Sequence, residues 1–207
     1  PVLHSVDPAT AAVPVMTHHV LAVERGDKAA VVRELAGGRS RTLLFTRTKH
    51  RAKKLAAQLT KDGIPAVELH GNLSQGARTR NLEAFSEGRS VVLVATDIAA
   101  RGIHVDDISL VVHVDPPAEH KAYLHRSGRT ARAGAEGTVV TVMTPDQRRD
   151  VEMLSRAAGI RPTTTSVGPT HPLLRELAGP AADRVEPVPV SAAAPVRTSG
   201  APRRGAS

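Results

Sequence analysis

A chain of 207 residues, 41% apolar and 23% charged, is long enough for one domain of ordinary size and too short for two large ones. Its three aromatic residues, Phe45, Phe85 and Tyr123, leave the core to Val, Leu, Ile and Ala and exclude a base-stacking platform of exposed rings, and the lack of Cys excludes disulfides, Cys-ligated zinc and a thiol nucleophile. Lys and Arg outnumber Asp and Glu by 28 to 20, a net +8 whose usual reason is a polyanionic partner, here one held by its backbone.

Pro1 to Pro14 has the Pro and Ala content of a linker, and a start at Pro1 instead of Met points to a fragment of a longer chain. The first residues lack the basic and apolar regions of a signal peptide, and no apolar run approaches the ~20 residues of a membrane span, so a cytoplasmic protein without membrane contact is expected. Val15 to Val23 is apolar and β-branched enough for a strand. Asp27 can cap a helix to Ala36 that stops at Gly37-Gly38, and Thr42 to Thr46 then reads as a short buried strand. The alternation repeats with a helix from Thr48 to Asp62 before Gly63, a strand from Ala66 to Leu69, a helix from Ser74 to Glu87 before Gly88, and a strand from Val91 to Ala95. Further strands are expected at Leu110 to Val114 and Thr138 to Met143, the second followed by a helix from Pro145 to Ala158 behind the capping Thr144 and ahead of Gly159. Strands that alternate with helices and read as solid apolar runs predict an α/β fold, a mostly parallel sheet with helices on both faces. After Gly179 periodicity is lost among Pro, Ala, Val, Ser and Arg. The expected organisation is an interdomain linker over residues 1–14, one domain over 15–179, and a disordered low-complexity tail over 180–207 whose Arg203-Arg204-Gly205 ending reads as solvated.

Ligands of such sheets gather at the carboxyl ends of the strands, which directs attention to the following loops. Thr96-Asp97-Ile98-Ala99-Ala100-Arg101-Gly102-Ile103-His104 leaves a strand directly and offers a hydroxyl, a carboxylate, backbone N–H groups and a guanidinium, a set able to hold phosphate oxygens. In His125-Arg126-Ser127-Gly128-Arg129-Thr130-Ala131-Arg132-Ala133-Gly134, Arg126, Arg129 and Arg132 follow one another with no acid between them. Crowded guanidiniums repel one another unless an anion relieves them, and their planar forks suit phosphate, with a triphosphate the obvious candidate. The structural alternative is a solvated helix face, against which Gly128 and Gly134 interrupt a continuous helix. No metal site is expected, because His18 and His19 face opposite ways on a strand and His120 and His125 lack the i, i+4 spacing of a zinc helix. No Gly-x-Ser-x-Gly elbow surrounds Ser127, which argues against a serine triad.

Four motifs in register, Leu69-His70-Gly71, Gln75-x-x-Arg78 with Phe85, Ala95-Thr96-Asp97-x-Ala99-Ala100-Arg101-Gly102, and His125-Arg126-x-Gly128-Arg129-Thr130-x-Arg132-x-Gly134, resemble the second, C-terminal RecA-like domain of DEAD-box ATP-dependent RNA helicases, over about residues 15 to 160. The His-Arg opening of the last motif matches the DEAD-box branch, since the DEAH and RecQ groups usually begin it with Gln. The resemblance implies that Arg129 and Arg132 are arginine fingers reaching the γ-phosphate of ATP across a cleft between two RecA-like domains, and that His125 links the nucleotide site to the neighbouring domain. It implies nucleotide contact at Gly102 and His104, and contacts to RNA phosphates and sugars from Gly71, Arg78, Thr96 and Arg101.

Three positions depart from the family. Where Arg-Gly-Leu-Asp supplies a carboxylate to the nucleotide ribose, this chain has Arg101-Gly102-Ile103-His104, and an imidazole bonds a hydroxyl only as its tautomer allows. Lys121 stands where an acid is usual, and Ala131 replaces a usual Gly. Neither a Gly-x-x-x-x-Gly-Lys-Ser/Thr phosphate loop nor Asp-Glu-Ala-Asp occurs in the chain. The resemblance places both in the first RecA-like domain, which would hold most of the ATP and its Mg2+. The expectation is therefore the C-terminal lobe of an ATP-dependent RNA helicase or RNA chaperone, inactive in ATP hydrolysis when isolated. Its partners would be the N-terminal RecA-like domain of the same full-length chain and RNA bound without sequence preference. The alternatives are a non-catalytic RNA- or protein-binding module with a degenerate nucleotide site, and a DNA-unwinding enzyme.

Overall fold

The computed structural model describes residues 16–103, 105, 107–131 and 136–185. The expected linker, the tail from residue 186, His104 and Arg132 lie outside these described residues. Seven strands, β1 (Met16–Ala22), β2 (Thr42–Phe45), β3 (Ala66–Leu69), β4 (Val92–Ala95), β5 (Leu110–His113), β6 (Gly137–Met143) and β7 (Thr163–Ser166), form one sheet. Its order is β3-β4-β2-β5-β6-β1-β7, and every pairing is parallel, so helical crossovers return the chain between strands. The helices are α1 (Lys28–Ala36), α2 (Lys49–Lys61), α3 (Gln75–Ser86), α4 (Asp97–Ala100), α5 (His120–Ser127), α6 (Arg148–Ala157) and α7 (Pro172–Ala178).

The central strands read as solid apolar runs because both of their faces are covered. Leu44, Val92, Val94 and Val112 pack with Val31, Val32 and Leu35 of α1, Ala52, Ala56 and Leu59 of α2, and Leu174 of α7. Their neighbours Leu43, Phe45, Leu93 and Val111 turn the other way, onto Phe85 of α3, Tyr123 of α5 and Leu154 of α6. Each such Leu or Val, fully buried, contributes ~1.5–3 kcal/mol. Local chemistry sets the helix ends. Thr48 Oγ1 accepts from the backbone N–H of Arg51, Ser74 Oγ accepts from that of Ala77, and Gly63, Gly88 and Gly159 stop α2, α3 and α6 at φ of +81°, +76° and +67°. Asp27 occupies the cap position of α1 without a capping bond, because its backbone is already helical at φ −88°, ψ −16°.

Several features differ from the sequence reading. β7 is an exposed edge strand of Thr-Thr-Thr-Ser, without the apolar run that marks the inner strands. α4 and α5 occupy stretches read as loops, and Gly128 ends α5 as its C-cap, so Arg126 is helical and Arg129 is not. Residues 180–185, read as the start of the tail, run back along the amino-terminal end of the sheet: Arg39 N–H donates to Pro180 O (2.7 Å), Ala182 N–H to Gly37 O (3.0 Å) and Val185 N–H to Gly63 O (3.0 Å). Backbone-only contacts of this kind leave no periodicity to read.

Candidate functional site

The carboxyl ends of β3, β4, β2 and β5 stand side by side, and α4, leaving β4, is the element on which the surrounding loops converge. Arg126, only 3% exposed, donates from Nε to Asp97 Oδ1 (2.5 Å), from Nη2 to Asp97 Oδ2 (2.7 Å) and from Nη1 to Asp115 O (2.8 Å), and its guanidinium lies 5.0 Å from the centre of the Phe45 ring. This fork-to-fork pair corrects two expectations. The anion that relieves Arg126 is a carboxylate of its own domain, and Asp97 is engaged in that pair instead of standing in an open phosphate loop. The start of α4 and the end of α5, 29 residues apart, meet at one sheet edge and make the pairing possible.

Two more bonds stitch the loop after α5 to the loop after α4. Arg129 Nη1 donates to Ile103 O (3.1 Å), and Thr130 Oγ1 donates to Ile108 O. Between them opens a cleft of ≈ 210 Å³ onto which Arg101, Gly102, His125 and Arg129 face, with Phe45 and Ala122 among its walls. Gly102 adopts φ +76°, a conformation only glycine takes without strain, and so presents bare backbone to the cleft. Ala131 at φ +55° occupies the same left-handed region, which accounts for a preference for Gly there. Arg101, Gly102, His125 and Arg129 are thus brought to one place.

Gly71, Arg78 and Thr96 lie at the neighbouring corner. The backbone N–H of Thr96 donates to Leu69 O (3.2 Å), which holds the β4 loop against the β3 loop carrying Gly71. His70 shapes that loop, its Nδ1 accepting from the N–H of Asn72 (3.3 Å) and its Nε2 lying 3.2 Å from Glu68 Oε2. Arg78 Nη2 donates to Ala99 O (3.0 Å) and ties α3 to α4, so both groups of residues hang on α4. Gly71 is exposed, and a Cβ built on it would meet nothing within 4 Å, so nothing in the fold requires glycine there.

Beneath the cleft lies a polar layer that sequence reasoning did not find. Asp115, its side chain buried, accepts from Arg51 Nη1 (2.8 Å), Lys28 Nζ (3.4 Å) and the backbone N–H of Arg47 (3.0 Å), and burial lowers the pKa of Lys28 despite this carboxylate. His113 is fully buried, with Nδ1 3.1 Å from Thr141 Oγ1 and its ring 4.8 Å from that of Tyr123. Burial first, then the charges of Arg126 and His18, holds it neutral far below the ordinary imidazole range. The Tyr123 hydroxyl is 2.8 Å from His18 Nδ1, and burial pushes the phenol up to about 12. The only sequence signal for this layer is a polar residue inside or just after an apolar strand. Among the described residues no group of three His, Asp or Glu side chains could hold a metal ion, and no helix is long and apolar enough to cross a membrane.

The family described as the helicase conserved C-terminal domain matches residues 27–134, more than half of the chain. DEAD-box ATP-dependent RNA helicase 30 of Arabidopsis thaliana is 41% identical over 140 residues, covering 66% of this chain and 24% of the relative. ATP-dependent RNA helicase RhlB of Pseudomonas syringae is 37% identical over 159 residues, covering 76% of this chain and 40% of the relative. The chain therefore spans less than half the length of these curated relatives. Among solved structures, S. cerevisiae Dbp5 bound to RNA and ADP BeF3 superposes with a TM-score of 0.72 at 27% identity, covering 81% of this chain and 46% of that one.

Proposed function

Because the chain belongs to the DEAD-box RNA helicase family through its helicase conserved C-terminal domain, we propose that it is the second RecA-like lobe of an ATP-dependent RNA helicase or RNA chaperone. The cleft that gathers Arg101, Gly102, His125 and Arg129 carries this reading. Arg129 serves the γ-phosphate of an ATP held mainly by the N-terminal lobe, where a guanidinium stabilises the charge of the phosphoryl-transfer transition state, and the family motif gives Arg132, outside the described residues, the same role. Arg126 braces that loop from behind through Asp97. Gly102 lends backbone to the nucleotide, His104 stands at the ribose contact, and His125 couples the cleft to the neighbouring lobe. Among the described residues no cluster fits Mg2+, and in this reading its ligands belong to the first lobe.

Gly71, Arg78, Thr96 and Arg101 take RNA phosphates and sugars without reading bases. A Gly71 free of steric demand supports close approach of a backbone, and a chain with three aromatics has little to stack on bases. Binding of ATP and RNA closes the two lobes and completes the site, and phosphate release reopens it, with local strand separation as the output. In this organisation residues 15–179 are the lobe, 1–14 lead to it from the first lobe, and 180–207 form the tail, of which 180–185 are docked. The test joins this chain to the first RecA-like domain of a DEAD-box helicase and measures RNA-stimulated ATP hydrolysis. Arg129→Ala should lower the rate by about 10³–10⁵ with little change in melting temperature, and undiminished hydrolysis would refute the assignment. His104 in place of the ribose carboxylate favours one second reading, a binding module without turnover, for which the joined polypeptide binds RNA and hydrolyses nothing.

A further inference from the structure

The outer face of α2 carries a charge that nothing in the fold explains. Arg47, Lys49, Arg51, Lys53, Lys54 and Lys61 follow one another with no acid among them, while Ala52, Ala56 and Leu59 supply the inward face of the helix. Lys49 and Lys53 stand one turn apart on the exposed side, with Lys54 next to them, so like charges neighbour each other. Cations at the first turn also oppose the helix dipole. Asp115, the carboxylate that reaches the start of the helix, is buried and already shared by Arg51, Lys28 and the Arg47 N–H. Among the described residues no ion pair involves Arg47, Lys49, Lys53, Lys54 or Lys61. Crowded cations at Arg126 find relief in a carboxylate of their own domain; these face solvent and find none.

The position of the stripe indicates what relieves it. Arg47 and Lys49 leave the carboxyl end of β2, which lies between β4 and β5, so the stripe begins at the sheet edge that bears Thr96 and the cleft. From Lys49 to Lys61 it runs ~18 Å along the layer opposite α3. One small anion would occupy one or two of these cations, whereas a run of phosphates matches the whole length. No Phe, Tyr or Trp stands in the stripe, which favours contact with the backbone over stacking on bases.

We propose that the exposed face of α2 is a second RNA-backbone surface, outside the cleft and outside the Gly71, Arg78, Thr96 and Arg101 set, that takes the phosphates of RNA flanking the cleft. This rests on RNA being the polyanion, as in the preceding subsection. The test is fluorescence anisotropy of a labelled single-stranded RNA titrated with this chain across a range of salt. For a Lys49→Gln/Lys53→Gln/Lys54→Gln variant, the slope of log K against log salt should shrink by about 2, three phosphate contacts at ~0.7 each, with low-salt affinity down by about tenfold or more and melting temperature unchanged. RNA binding by the parent with the same slope in the triple variant overturns this surface alone and leaves the face to some other partner, such as an acidic protein. Failure of the parent to bind RNA overturns both this surface and the RNA reading on which it rests.

Discussion

Replacing Arg126 with Leu separates an arginine that holds the fold from one that serves the cleft. The side chain is 3% exposed, and its loss removes two charge-assisted bonds to Asp97, one bond to Asp115 O and the contact over Phe45. Breaking a buried pair by deleting one partner costs ~3–5 kcal/mol. Asp97 is 39% exposed and regains part of its hydration, while the stranded Asp115 carbonyl adds its own desolvation, which places the expected loss at ~2–4 kcal/mol. A domain of this size loses about 2–4 °C of melting temperature per kcal/mol, so the unfolding midpoint by circular dichroism should drop about 4–16 °C, with a lower urea midpoint at unchanged slope. Asp97→Leu combined with Arg126→Leu removes both charges, and the cycle should return a coupling of ~1 kcal/mol or more. A single Arg126→Leu variant that melts within about 2 °C of the parent would refute the structural role and return this arginine to the ligand-binding set.

Gly38→Ala should destabilise the docked segment by ~1–3 kcal/mol, because a Cβ there would lie 1.9 Å from Ala178 O. Hydrogen exchange at the amides of Arg39, Ala182 and Val185 reads the loss, and Gly26→Ala, with nothing within 4 Å, is the control. His113 makes stability depend on pH: its pKa is depressed in the fold, so the unfolded chain binds the extra proton as pH falls below the ordinary value of 6.5. Its contribution is present above that pH and is lost below it, at up to about 1.4 kcal/mol per pH unit until the folded ring titrates. His18 shifts the same way. Urea midpoints should therefore fall on acidification through that window in the parent and fall less in His113→Gln; equal slopes would contradict the assignment.

Solid apolar runs at Thr42–Phe45, Val92–Ala95 and Leu110–His113 were legible as inner parallel strands because both faces of the sheet need the same residue types. Thr48, Ser74, Gly63 and Gly88 marked helix ends because capping and left-handed backbone are local requirements. β7 was not legible, since an exposed edge strand buries too little to need apolar residues, and α4 is too short to show a period. The cleft residues were legible as motifs, yet the identical chemistry of Arg126 and Arg129 hid different roles. Ala131 stood out in the sequence as a replaced glycine, and its φ of +55° supplies the reason.

The order of amino acids by itself determined the alternation of strand and helix, the composition of the core and the family, because each depends on residues close in the chain. Only the tertiary structure decided that Asp97 neutralises Arg126, that Arg129 is left lining the cleft, that residues 180–185 dock on Gly37 and Gly63, and that Lys49, Lys53, Lys54 and Lys61 of α2 face outward with no ion pair among the described residues. Those pairings join residues far apart in sequence, and electrostatic partnership is set by distance and burial in space, which spacing along the chain does not encode.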